Sequence, residues 1–275
     1  MTRTWFITGT SSGFGRLMTE KLLARGDKVA ATLRKKGSLD DLKEQYGDKL
    51  WIAHLDVTDT AAIYAVVKGA FDAFGRIDVI VNNAGYGLFG AAEEVNDDQI
   101  RHQIDTNVIG SIQTIRAALP LLRAQGGGRI IQVSSEGGQI AYPNFSLYHA
   151  SKWAIEGFVE SVSQEVAPFN IDFTLAEPGP TMTNFAAGLV SPPKMDVYEN
   201  TPAGDVRNMI ASGEFEIRGD ASKMAQAMID SVDVNPAPKR LTMGAVAYAS
   251  IHHALTQRLQ ELESQKDLAI SMDRD

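Results

Sequence analysis

The chain contains no cysteine, so disulfides, thiolate catalysis and cysteine metal centres are all excluded. It lacks any run of about 20 apolar residues, and its first residues show no apolar stretch followed by a small-residue cleavage site. Those absences read as a soluble, cytoplasmic protein with no membrane partner. No long basic run is present either. With 26 basic and 34 acidic side chains the formal charge is −8, which argues against a nucleic-acid binder. Repeats, low-complexity tracts and interdomain linkers are also missing, so residues 1–275 are expected to form one domain. What remains is ordinary for a globular chain: 44% hydrophobic and 22% charged side chains, enough for a sizeable core.

Strand-length apolar runs alternate with helix-length amphipathic stretches. Residues 4–8, 28–33, 49–55, 77–81, 129–133, 171–175 and 240–243 read as strands. Residues 16–25 read as a helix stopped by Gly26, and 57–74 as one capped by Thr58 or Asp59. Further helices are expected over 97–125, interrupted near Pro120, and over 147–166, ended by Pro168. Two more fall at 221–232 and 245–264, and the last residues, 272–275, are expected to fray. Parallel strands need a crossover between them, so this alternation predicts a doubly wound α/β fold of Rossmann type.

Between the first strand and the first helix stands Thr8-Gly9-Thr10-Ser11-Ser12-Gly13-Phe14-Gly15. Glycines at 9, 13 and 15 allow a tight turn and close approach of a pyrophosphate to backbone, at a helix N-terminus that attracts anions. The spacing is Gly-x-x-x-Gly-x-Gly, not the usual dinucleotide fingerprint, and a plain strand-to-helix connection is the alternative. The second strand ends Ala31-Thr32-Leu33-Arg34-Lys35-Lys36. An NAD-selective site usually ends that strand with an acid for the ribose 2′-hydroxyl; here three bases follow instead. Arg34 can pair with a 2′-phosphate and Ser11 or Ser12 can donate to it, which favours NADP(H). The alternative is an exposed basic loop.

With these motifs come Asp56-Val57 after the third strand, Asn82-Asn83-Ala84-Gly85 after the fourth, Asn107, Ser135, Tyr148-His149-Ala150-Ser151-Lys152, and Pro178-Gly179. In this order, over residues 8–183, the set resembles the short-chain dehydrogenase/reductase family. The Thr-Leu-Arg ending of the second strand and the paired serines look most like its NADP(H)-using hydroxysteroid and retinol dehydrogenase-like members. The resemblance implies an oxidoreductase in which Lys152 binds the nicotinamide ribose and Asn107 positions a water connecting Lys152 to solvent. It also implies that Gly9, Ser11, Ser12, Gly13, Phe14, Gly15 and Arg34 bind cofactor. Asp56 and Val57 would meet adenine, with Asn83, Ala84 and Gly85 along the adenosine. Pro178, Gly179, Thr181 and Thr183 would lie beside the nicotinamide amide and phosphates. Capping by Asp56 and strand-tying by the Asn pair are the structural alternatives. The chain departs from the commonest family form by placing Glu177 before and Pro180 after Pro178-Gly179.

The chemistry follows from residue types. Tyr148 and Lys152 are one helical turn apart and can serve one site. A free phenol has a pKa of about 10; an ammonium about 5 Å away at an effective dielectric of about 20 would favour the phenolate by about 3 kcal/mol, or about 2 pKa units. Tyr148 is thereby a candidate proton donor for carbonyl reduction, or acceptor for alcohol oxidation. Ser135, at the carboxyl end of a strand, can hold the carbonyl oxygen. Residues 184–218 mix Phe185, Leu189, Val190, Met195, Val197, Tyr198, Met209, Ile210 and Phe215 with Pro192, Pro193 and Pro202. They read as an apolar lid admitting a lipophilic ketone or alcohol, or else as a surface excursion. His149, His252 and His253 make no convincing metal spacing. A non-catalytic NADP(H)-sensing regulator is the rival function, and an epimerase or dehydratase with tightly held cofactor a third. A homodimer or homotetramer is expected from the family, through residues 104–122 and 154–166.

Overall fold

The computed structural model describes residues 2–185, 188–214 and 217–274. Seven strands form one parallel sheet: β1 (Thr4–Ile7), β2 (Lys28–Leu33), β3 (Leu50–His54), β4 (Val79–Asn82), β5 (Gly128–Val133), β6 (Ile171–Pro178) and β7 (Arg240–Met243). Their order is β3-β2-β1-β4-β5-β6-β7, so the chain reverses its direction of travel between β1 and β4. In open α/β sheets the crevice beyond the carboxyl ends at such a reversal is where ligands bind.

Both sheet faces are covered because neighbouring strand residues point to opposite sides. Trp5 and Ile7 face a core with Met18, Leu22 and Leu23 of α1 (Gly13–Arg25), and Met224, Met228 and Ile229 of a helix over Ala221–Asp230. Phe6, between them, faces the opposite core, built with Ile63, Val67 and Phe71 of a helix over Thr60–Phe74. Ile115 and Leu122 from Gly110–Ala124 and Val159, Val162 and Val166 from Ser146–Val166 complete that side. The doubly wound architecture read from the sequence is what forms. No helix among the described residues is long and apolar enough to cross a membrane.

In chain order the helices are α1, α2 (Asp40–Tyr46), α3 (Thr60–Phe74), α4 (Asp97–Ile104), α5 (Gly110–Ala124), α6 (Ser146–Val166), α7 (Pro202–Ala211), α8 (Ala221–Asp230), α9 (Ala245–Ser264) and α10 (Lys266–Ile270). Several of these differ from the sequence expectation. α2, α7 and α10 are short helices in stretches that were not read as helical. The break expected at Pro120 lies instead at a π-helical turn, Asp105–Ile109, while Pro120 stays inside α5. Pro120 and Arg116, whose carbonyl loses its partner, both sit on the exposed side, where water can replace the bond. Asp59, not Thr58, caps α3 by accepting the Ala62 N–H at 2.9 Å.

Candidate active site

A cavity of about 580 Å³ opens at the carboxyl ends of the strands. It is walled by the turn after β1 (Gly9, Ser11, Ser12, Gly13, Phe14), by Arg34 after β2 and by Asp56 and Val57 after β3. Asn83, Ala84 and Gly85 follow from β4, Ser135 from β5 and Tyr148 and Lys152 from α6, with Pro178, Gly179, Thr181 and Thr183 at the end of β6. Of the expected catalytic and cofactor-binding residues, Gly15 and Asn107 do not line the cavity.

The turn after β1 is shaped by close packing. Gly9 has φ +71°, and a Cβ there would lie 2.9 Å from Ala84 Cα. A Cβ on Gly15 would fall 2.3 Å from the Gly9 carbonyl oxygen. The Asn83 amide locks the turn from the next strand, donating to the Thr8 and Gly9 carbonyls at 2.9 and 3.0 Å. Thr8 Oγ1 in return accepts the N–H groups of Asn83 and Ala84. Asn82 donates to the Ser111 carbonyl and to Gln132. The Asn pair therefore ties strands with its side chains while the backbone of residues 83–85 faces the cavity.

This wall fits a dinucleotide. The first turn of α1 carries no acidic residue and Ser12 does not cap it, so the helix presents its N–H groups to the cavity with their partial positive charge intact. Thr106, also in the wall, has a buried hydroxyl with no partner among the described residues. Arg34 and Lys35 both line the cavity, whereas Leu33, which ends β2, brings no carboxylate. Lys35 was visible only as one of three consecutive bases. The Asp56 carboxylate accepts the Thr58 N–H at 3.0 Å and its hydroxyl at 2.8 Å. Burial opposes its charge, yet these bonds and Arg34 hold its pKa below the usual carboxylate range.

At the other end Tyr148 and Lys152 project from one face of α6, with Nζ 5.5 Å from the phenol centroid. Lys152 donates to the Val133 carbonyl at 3.1 Å. Ser135 sits just past β5, where its hydroxyl accepts the Gly137 N–H at 3.1 Å and reaches the phenol. The sequence argument for a depressed phenol pKa is corrected here. Burial pushes Tyr148 up to about 12, countered in part by the Ser135 hydrogen bond and raised further by Glu136. Burial also lowers Lys152 to about 8, against the supporting charge of Glu156. Desolvation of both groups outweighs their proximity, and the ammonium is engaged by a carbonyl. The group presented to the cavity at neutral pH is a neutral phenol.

Asn107 lies in the π-helical turn and uses both its polar atoms. It accepts the Tyr86 N–H at 3.1 Å and donates to the Tyr86 carbonyl at 2.9 Å and to Ser151 at 3.1 Å. Thr181 donates to the Gly179 carbonyl at 2.7 Å, and Thr183 accepts the Phe185 N–H at 3.2 Å. Glu177, the departure from the family form, is fully buried. It accepts Gln139 Nε2 at 2.9 and 2.8 Å and Thr242 Oγ1 at 2.9 Å, and it pairs with Arg240. Arg240 also pairs with Glu156 and Glu160, so the acid clamps β6 and β7 to α6 behind the cavity. His149 is structural: Nδ1 meets the Gly137 carbonyl at 3.0 Å and Nε2 accepts the Tyr142 N–H at 3.3 Å. Among the described residues no cluster of three His, Cys, Asp or Glu side chains could hold a metal ion.

A Rossmann-type sheet with a glycine turn at its reversal point, facing a Ser–Tyr–Lys group, defines a nucleotide-dependent oxidoreductase architecture. The short chain dehydrogenase family model matches residues 3–193. An oxidoreductase of Botryotinia fuckeliana, BOA17, is 38% identical over 253 residues, covering 90% of this chain and 92% of that protein. A short-chain dehydrogenase structure from Streptomyces avermitilis superposes with a TM-score of 0.92 at 35% identity, covering all of both chains. A short chain dehydrogenase from Burkholderia cenocepacia, solved in complex with NADP, is 26% identical, with a TM-score of 0.74 and coverage of 96% and 97%. This chain belongs to the short-chain dehydrogenase family and is a dehydrogenase/reductase.

Proposed function

We propose that the enzyme uses NADP(H) and interconverts a lipophilic ketone and its secondary alcohol. The reading rests on one observation: a buried, neutral phenol shares a cavity with Ser135, Lys152 and a helix N-terminus suited to a pyrophosphate. Bound NADPH supplies the hydride. Tyr148 gives its proton to the carbonyl oxygen, which Ser135 orients and polarises. Lys152 donates to the nicotinamide ribose and returns Tyr148 to its protonated form by relay. Asn107 is a positioning residue, pinning the Tyr86 backbone to Ser151, the neighbour of Lys152.

Arg34, with Lys35 beside it, takes the 2′-phosphate, and the NADP complex of the Burkholderia relative supports that choice. Gly9, Ser11, Ser12, Gly13 and Phe14 hold the pyrophosphate; Asp56, Val57, Asn83, Ala84 and Gly85 hold the adenosine. Pro178, Gly179, Thr181 and Thr183 hold the nicotinamide end. Residues 184–218 form the lid. Val190 pairs with the chain at Gly87 and Phe89 (3.0 and 2.8 Å), and Arg207 pairs with buried Glu94, so the lid is anchored at both flanks. Phe215, an expected lid side chain, lies outside the described residues. Phe185 and Leu189 carry the apolar surface over the site.

A purely NADP(H)-sensing role has no use for Ser135, Tyr148 and Lys152 buried together. Homodimer or homotetramer assembly through α5 and α6 belongs to the same proposal; light scattering giving only a monomer removes that part. Following NADPH absorbance across steroids, retinoids and small ketones tests the main reading. Oxidation of NADPH with at least one ketone supports it, and no turnover across all three classes defeats it.

A further inference from the structure

Glu136 follows Ser135 directly and is 3% exposed. Its residue lines the cavity, one carboxyl oxygen is buried without a partner, and no hydrogen bond or ion pair of this carboxyl is seen among the described residues. Burial alone raises its pKa, to about 7. Leaving such an acceptor unpaired is costly, and a site for a plain ketone gains nothing from it. The placement is rigid. The turn Glu136–Gly138 is pressed onto α6: a Cβ on Gly138 would lie 1.8 Å from Glu156 Oε1, and one on Gly137 would lie 2.5 Å from His149 Nδ1.

The surroundings say what the carboxyl awaits. The cavity's other acid, Asp56, stands at the opposite end beyond β3, already bonded to Thr58. The cavity that Glu136 lines carries a run of aromatic rings: Tyr142 and Phe145 lie 5.4 Å apart edge to face, Phe145 and Tyr148 6.0 Å apart, and Tyr148 and Phe185 5.5 Å apart. Both Tyr142 and Tyr148 feel the Glu136 charge. A buried carboxylate in a cavity lined by aromatic rings suits a cation, since an ion pair and the ring quadrupoles both attract it. A hydroxyl would bring one hydrogen bond but no counter-charge.

We propose that Glu136 determines substrate specificity by pairing with an ammonium group carried close to the reacting carbon, so that the enzyme acts on amino ketones and amino alcohols with an apolar tail. This rests on the reading of the protein as a ketone/alcohol oxidoreductase. The amine takes no part in the chemistry: the carbonyl carbon takes the hydride that NADPH supplies, its oxygen takes the proton of Tyr148, and the nitrogen stays unchanged.

Two measurements on the NADP-loaded protein separate this proposal from that reading. Calorimetric titration at pH 8 with dodecylamine and dodecan-1-ol should show at least tenfold tighter binding of the amine. Glu136→Gln should bring the two affinities within about twofold, and Glu136→Asp should keep part of the preference; melting curves check that both variants fold. In turnover with NADPH, 2-aminododecan-3-one should exceed dodecan-3-one at least tenfold in kcat/KM, a ratio that Glu136→Gln collapses. Equal binding of amine and alcohol by the unaltered protein, or a preference that survives Glu136→Gln, overturns the proposal. An amine preference in binding without turnover of any alcohol or ketone leaves Glu136 standing and removes the oxidoreductase reading.

Discussion

At one end of the cavity the wall is mostly backbone: the turn after β1, the segment after β4 and the first turn of α1 offer glycines and N–H groups, with Arg34 and Lys35 at the rim. At the other end the wall is side chains: Ser135, Glu136, Tyr142, Phe145 and Tyr148, closed over by Phe185 and Leu189. A backbone wall accepts the constant part of the reaction, because peptide groups look alike whatever the side chains do. A side-chain wall can differ from one protein to the next without disturbing the sheet. The division assigns affinity for a nucleotide to one end and choice of substrate to the other, and each assignment can be broken separately.

The largest expected effect separates chemistry from nucleotide binding. Tyr148→Phe removes the proposed proton carrier but keeps the aromatic packing, so kcat should fall about 10³-fold while the NADPH dissociation constant moves less than about twofold. Stopped-flow hydride transfer and a fluorescence titration measure the two; retained turnover would place the proton donor elsewhere. At the backbone end Gly9→Ala should act in the opposite sense. The left-handed backbone and the 2.9 Å approach to Ala84 leave no room for a methyl group. Strain of about 1–3 kcal/mol should weaken NADPH binding by tenfold or more and lower the melting temperature. Unchanged affinity would show that this turn does not cradle the nucleotide.

Leu33→Asp sharpens the comparison at the rim, where one side chain decides between nucleotides. A carboxylate at the end of β2 repels a 2′-phosphate and can accept from a 2′-hydroxyl. The ratio of kcat/KM for NADPH over NADH should fall at least tenfold, and an unchanged ratio would move the phosphate site away from Arg34.

Much of the nucleotide end was legible because its requirements are steric and local: Gly9, Gly13 and Gly15 had to be glycine, and β1 and β2 alternate plainly with α1. The parallel sheet was legible through strand runs separated by helices long enough to cross, though the order of its strands was not read. Less visible was anything set by burial. Pro120 was read as a helix interruption because a sequence does not show that the Arg116 carbonyl it orphans lies on the exposed side. The Tyr148–Lys152 pair was read as a phenolate pair because the spacing shows proximity and hides desolvation. Glu136 passed unnoticed beside Ser135, since only the folded wall reveals that its carboxyl has no partner among the described residues. Glu177, read as a departure from the family form, is a buried clamp whose partners Gln139, Thr242 and Arg240 come from distant parts of the chain.

The smallest expected effect tests where the two ends meet, at Lys152. Burial lowers its pKa to about 8, with Glu156 resisting. Below that pH the free protein holds an ammonium able to donate to a ribose hydroxyl; above it the group is neutral and a weaker donor. Bound nucleotide favours the charged form, so binding at pH 8.5 should draw a proton from solution. NADPH affinity should decline several-fold between pH 7.5 and 9.5, and Lys152→Met should flatten that slope. Tyr148, held near 12, stays neutral across this window and contributes nothing to it. Calorimetry in two buffers of different ionisation enthalpy reads the proton directly. No uptake at pH 8.5, or the same slope in Lys152→Met, would mean that the lysine serves the phenol alone and that the nucleotide is held without it.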